Sequence, residues 1–144
     1  MDVRECIEKG LLKHDSPSME KAHRSLEVAQ KKVKKAKELL KASILDMAEV
    51  SAYSSMFHAS RALLFRDGFK ERGHYAIYVY LKERYADKLD LKFLNELNIL
   101  RLNRHEIFYG FDEPELNEEA IGKTIMLAEE FIEAIQRVMA AKVK

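Results

Sequence analysis

The feature that most constrains this chain is an apolar seam, Met19, Ala22, Leu26, Ala29, Val33, Ala36 and Leu40, spaced 3-4-3-4-3-4. That spacing places every member on one narrow stripe of an α-helix, predicted over residues 17–43, with charged side chains elsewhere on its surface. The alanines in the stripe let a neighbouring helix approach closely. The following segment supplies such a neighbour. Ala48, Val50, Ala52, Met56, Phe57, Ala59, Ala62, Leu63 and Leu64 ring a helix predicted over residues 45–67 and leave little room for a wetted face. Such a wide apolar girdle marks a central, buried helix. Its polar exceptions are Tyr53, Ser54, Ser55, His58 and Arg61, and Gly68 can end it in the left-handed conformation.

Around this pair the remaining segments also read as helices. Residues 2–13 put Val3, Cys6, Ile7, Leu11 and Leu12 on one side of a short amphipathic helix. The break at residues 14–17 offers Ser16 as a cap for the next helix and Pro17 for its first turn. After a loop at 70–73, residues 74–86 carry Tyr75, Ile77, Tyr78, Val79 and Tyr85, a content that also suits a strand. No partner strand is predicted elsewhere, so a helix is expected there. A fifth helix over 90–109 turns Phe93, Leu94, Leu97, Leu100, Ile107 and Phe108 inward and closes at Gly110. A turn at 111–116 leads to a last helix over 117–141, capped by Asn117. Short connections between long helices imply antiparallel neighbours. The expected fold is all-α, an antiparallel up-and-down bundle of four to five main helices plus a short N-terminal one, in a single domain over 1–144.

Composition agrees and excludes several function classes. Five glycines and two prolines in 144 residues favour helix throughout. The 25 basic and 24 acidic residues leave a net charge of +1, so the molecule as a whole is not a polyanion sponge. Locally the balance is uneven: residues 20–41 carry eight Lys or Arg against three Glu, and residues 112–133 carry eight Asp or Glu against one Lys. Each run fits a solvated helix face, and together they also fit a polarised surface. The single cysteine, Cys6, excludes an internal disulfide and a cysteine metal site, and reads as a small apolar side chain. No apolar run reaches the roughly 18–20 residues that span a bilayer, and residues 1–13 lack the pattern of a signal peptide. A cytoplasmic protein is expected. The histidines His14, His23, His58, His74 and His105 show no ligand spacing, and no HExxH, GxGxxG, Walker or Gly-x-Ser-x-Gly motif occurs. No metal or cofactor is expected.

The cluster with chemical potential is Arg101-Leu102-Asn103-Arg104-His105-Glu106-Ile107-Phe108-Tyr109. On a helix Arg101, His105 and Tyr109 stand one turn apart on one face, with Arg104 beside it. A histidine that moves a 2′-hydroxyl proton and an arginine that stabilises phosphorane charge are sufficient for RNA cleavage without a metal. The same residues fit a solvated, salt-bridged helix end. His58 and Tyr53 read either as pocket-lining groups or as satisfied core polar groups. His74 reads as a first-turn residue, and Tyr75, Tyr78 and Tyr80 read as packing or as stacking platforms.

Two segments resemble the HEPN family, the helical higher eukaryotes and prokaryotes nucleotide-binding domains. One is Ala52-Tyr53-Ser54-Ser55-Met56-Phe57-His58-Ala59-Ser60-Arg61-Ala62-Leu63-Leu64, followed by Gly68 and His74. The other is residues 100–109, followed by the acidic helix that carries Ala128-Glu129-Glu130-Phe131-Ile132. The resemblance implies an up-and-down bundle, frequently a homodimer, often paired with a minimal nucleotidyltransferase that acts as its antitoxin. For active members it implies a metal-independent, toxin-like endoribonuclease with an Arg-x4–6-His motif at a dimer cleft. This sequence departs from that motif. The permitted histidine positions after Arg104 hold Tyr109, Gly110 and Phe111, those after Arg101 hold Glu106, Ile107 and Phe108, and His105 follows Arg101 one residue too early. The expected function is a nucleotide- or RNA-binding module using Arg101, Arg104, His105 and Tyr109. The alternatives are an endoribonuclease in which Arg104, or Arg101, works with His105, and a non-catalytic interaction subunit.

Overall fold

The computed structural model describes residues 1–112 and 114–141. Chain order is α1 (Val3–Glu8), β1 (Leu12–His14), α2 (Met19–Lys41), α3 (Leu45–Asp67), β2 (Phe69–Glu71), α4 (His74–Arg84), α5 (Leu91–Tyr109) and α6 (Glu118–Ala140). The all-α bundle expected from the periodicities is present. The central helix is α3, which packs against α2, α4, α5 and α6. The α2 seam meets it through Ala22, Ala29 and Ala36, all fully buried, as are Ala48, Ala52, Ala59 and Ala62 of α3. Small side chains on both partners allow the two backbones to approach, which multiplies dispersion contacts along 23-residue helices.

The buried faces of α3 must satisfy their polar groups internally. Ser51 Oγ donates to the Lys32 carbonyl at 2.8 Å, and from α2 Ser25 Oγ donates to the His58 carbonyl at 2.6 Å. Ser55 and Ser60 bond back to the Ala52 and Met56 carbonyls on their own helix. Gly68 ends α3 at φ 87°, and a Cβ there would stand 2.9 Å from the Asp15 carbonyl oxygen, so both conformation and space require glycine.

The first 18 residues differ from the expectation. Helix α1 stops at Glu8, Gly10 turns the chain at φ 73°, and Leu12–His14 pairs antiparallel with Phe69–Glu71, Leu12 opposite Glu71 and His14 opposite Phe69. The pairing sinks Leu12 completely, a burial that continuation of α1 would not secure. The loop expected at 70–73 therefore begins inside a strand. The cap of α2 is Ser18, whose Oγ accepts from the Lys21 N–H at 3.1 Å, rather than Ser16. Helix α2 starts two residues later than expected, so Met19 lies exposed at its edge and the buried seam begins at Ala22. In α5, Phe108 points outward and is 48% exposed. Asp90 caps α5 and Asn117 caps α6 through side-chain oxygens. The turn expected at 111–116 includes Glu113, which lies outside the described residues.

Candidate functional site

Helix α5 buries Phe93, Leu94, Leu97 and Leu100 and then nothing further. Its second half leaves the core and carries the arginines with it. Asn103 anchors this half to the bundle: its Nδ2 donates to Glu49 Oε1 on α3 at 2.7 Å. Glu49 is itself buried, and burial together with its nearby charge raises the Glu96 carboxyl above its ordinary range. Asn98 fixes the next arginine, accepting from Arg101 Nε at 3.2 Å and Nη2 at 3.0 Å. The Arg101 guanidinium lies 4.9 Å from the ring centroid of Tyr75 on α4, a cation–π contact that holds it against the first turn of that helix.

Facing these arginines are Tyr53 of α3 and His74, the first residue of α4. The Tyr53 hydroxyl and His74 Nδ1 are 2.7 Å apart. The His74 ring stacks on Phe57 with centroids 4.3 Å apart. Burial raises the Tyr53 phenol well above its ordinary value despite the opposing charges of Arg104 and Arg101. Burial, then Arg104, Arg101 and Arg61, push His74 down. The phenol therefore stays protonated and the imidazole neutral at neutral pH, and the two share one hydrogen bond whose direction follows the His74 tautomer; with Tyr53 donating to Nδ1, the ring proton sits on Nε2. No side chain caps the first turn of α4. Its free amides and positive dipole end share this corner with two guanidiniums, an arrangement suited to a phosphate oxyanion.

Arg101 and Arg104 thus reach the α3–α4–α5 corner, both half-buried. His105 and Tyr109 are exposed further along α5, their rings 5.2 Å apart, and His105 makes no hydrogen bond among the described residues. The sequence treated Tyr53 and His74 separately, and their pairing joins residues 21 positions apart, which no local periodicity reveals. The available signal was that both fall in the segment that resembles a known family. A separate hollow of about 530 Å³ lies between α2 and α6, lined by Lys34, Lys37, Leu40, Gly122, Ile125 and Met126. It holds neither an imidazole nor an arginine, and its Lys37 is paired with Glu129 at 2.7 Å, so the corner is the better oxyanion site. Among the described residues no three His, Cys, Asp or Glu side chains stand together as a metal site, and no helix is long and apolar enough to cross a membrane.

The family model of the HEPN domain matches residues 22–138, a span that holds Tyr53, His74, Arg101 and Arg104. No curated protein matches the sequence.

Two histidines held neutral by the fold give a signed pH dependence. His58 is pushed down to about 4 by burial and then by the charges of Arg61, Lys32 and His74, and His74 is lowered as well. The unfolded chain binds protons first as pH falls, so stability is full above the unfolded histidine value and declines below it. The urea midpoint is expected to fall between about pH 6.5 and about pH 5, and to fall less in a His58→Gln/His74→Gln double variant. An equal fall in both proteins would contradict the assignment.

Proposed function

The chain belongs to the HEPN domain family, and from that premise we propose that it is a nucleotide- or RNA-binding module whose phosphate site is the α3–α4–α5 corner. The observation that carries this reading is the convergence of Arg101 and Arg104 on the Tyr53–His74 pair at the uncapped start of α4. Each guanidinium offers a planar fork to a phosphate, and the neutral His74 ring offers its Nε2–H. Tyr75, 38% exposed beneath Arg101, gives a face on which a base can stack. His105 and Tyr109, further along α5, would meet the next part of an extended ligand.

Binding rather than rapid cleavage is the assigned role. His74 is committed to Tyr53 by its Nδ1, while His105 departs from the family spacing and lies tilted against Tyr109. The chain would act in the cytoplasm as a homodimer. Leu102, Phe108, Tyr109 and Phe111 are exposed on and just beyond the free end of α5, an apolar surface that a second copy would cover. A minimal nucleotidyltransferase acting as antitoxin would take the remaining charged surfaces of α2 and α6.

Two measurements test this reading. An unphosphorylated single-stranded RNA oligonucleotide, titrated in EDTA, is expected to bind the wild type without being cut, and Arg104→Ala is expected to weaken binding by about tenfold or more, the scale of one lost charge-assisted bond. Equal affinity would move the site elsewhere, and cutting that His105→Ala abolishes would make the protein a nuclease. Sedimentation is expected to show a dimer that Phe108→Asp dissociates, and a wild-type monomer at micromolar concentration would refute the paired arrangement.

A further inference from the structure

A second cationic hollow, of about 210 Å³, lies between α2 and α3, lined among others by Lys21, Arg24, His58, Arg61 and Phe65. No carboxylate lines it. Arg61 is the centre of its chemistry. Its guanidinium lies between the rings of Phe57 and Phe65, 5.7 Å and 4.9 Å from their centroids, which fixes the plane of the fork. Arg61 Nε stands 2.8 Å from Glu71 Oε1 on β2, yet no acceptor is aligned with its N–H, and Glu71 Oε2 is also buried without a partner. The contact is an ion pair without a hydrogen bond, and no described group accepts from the terminal nitrogens of Arg61.

Arg24 is exposed and makes no ion pair among the described residues, and Lys21 stands 4.0 Å from Asp15 and 5.9 Å from the Phe65 ring centroid. His58 joins them as a neutral ring, because burial and then the surrounding positive charge hold its proton off. Three cations set against two carboxylates, Asp15 and Glu71, leave the hollow with a net positive charge, which favours entry of an anion.

We propose that the α2–α3 hollow binds the phosphoryl group of a phosphate ester, with Arg61 and Arg24 as donor forks, Lys21 as a point charge and His58 as a neutral N–H donor. It is a site distinct from the α5 corner and does not rest on the function proposed there. The phosphoryl group could come from a free phosphate compound or from the end or backbone of a nucleic acid, and the two sources are separable by experiment.

Calorimetric titration of the full chain with inorganic pyrophosphate, and separately with a 5′-phosphorylated RNA tetranucleotide, tests the proposal. In an Arg104→Ala background, which disables the α5 corner, Arg24→Gln, a change at an exposed position, and Arg61→Gln are each expected to weaken binding by about tenfold, while Lys123→Gln, exposed on α6 away from both sites, leaves pyrophosphate affinity within about twofold. Binding of both probes supports a site for free phosphates, and binding of the RNA alone, still lost in Arg24→Gln, supports a nucleic-acid phosphate. The proposal is overturned if neither probe binds to the Arg104→Ala protein, if adding Arg24→Gln leaves its binding unchanged, or if Lys123→Gln weakens pyrophosphate binding as much as Arg24→Gln does. The α5 reading fails by a different result, unchanged affinity for the unphosphorylated oligonucleotide in Arg104→Ala, so the two can fall independently.

Discussion

The close packing of α2 on α3, alanine against small side chain, is the contact on which the rest of the molecule depends. It buries most of α3, with Ala48, Ala52, Ala59 and Ala62 fully covered, and leaves a stripe through Val50, Ser54, Phe57, Arg61 and Phe65 partly exposed. Polar groups on the buried faces must then find partners within the protein. Glu49 finds Asn103 on α5, and Tyr53 finds His74 on α4. Those two bonds hold α5 and α4 where Arg101 and Arg104 of α5 lie near the Tyr53–His74 pair. An apolar substitute for Glu49 or Tyr53 would fill the space without fixing the register, because hydrophobic contact is not directional.

The same burial shapes the electrostatics. Glu49 is buried and bound to Asn103, and Glu71 is paired with Arg61. Burial first, and then the nearby cations, lower His58 and His74. Positive charge with neutral imidazole and aromatic rings is the composition that recognises phosphate beside a base. Helix α3 thus builds two such places from one segment, Tyr53 and Phe57 toward the α4 and α5 side and His58 and Arg61 toward α2.

Much of this fold was legible in the sequence. The α2 seam, the α3 girdle, Gly68 at the end of α3 and Asn117 at the start of α6 are local patterns, set by the 3.6-residue period and by capping chemistry. The β1–β2 pair was not legible, since three-residue strands give no measurable alternation and their partners lie more than 50 residues apart. Ser16 and Ser18 flank Pro17 and offer the same hydroxyl, so only the backbone decides that Ser18 caps α2. The outward turn of Phe108 is a tertiary fact. At the site, the arginines were found as a local cluster. The Tyr53–His74 pair was not, because its members only meet once α4 folds back on α3.

The most direct test of the central claim is a nitrogen–proton NMR titration of the wild type with single-stranded RNA in EDTA. The account predicts that the backbone signals of Tyr53, His74, Tyr75, Arg101 and Arg104 move together and saturate at one ligand concentration. Shifts confined to the α2–α6 hollow around Leu40, Gly122 and Met126, with the α3–α4–α5 corner unmoved, would contradict it.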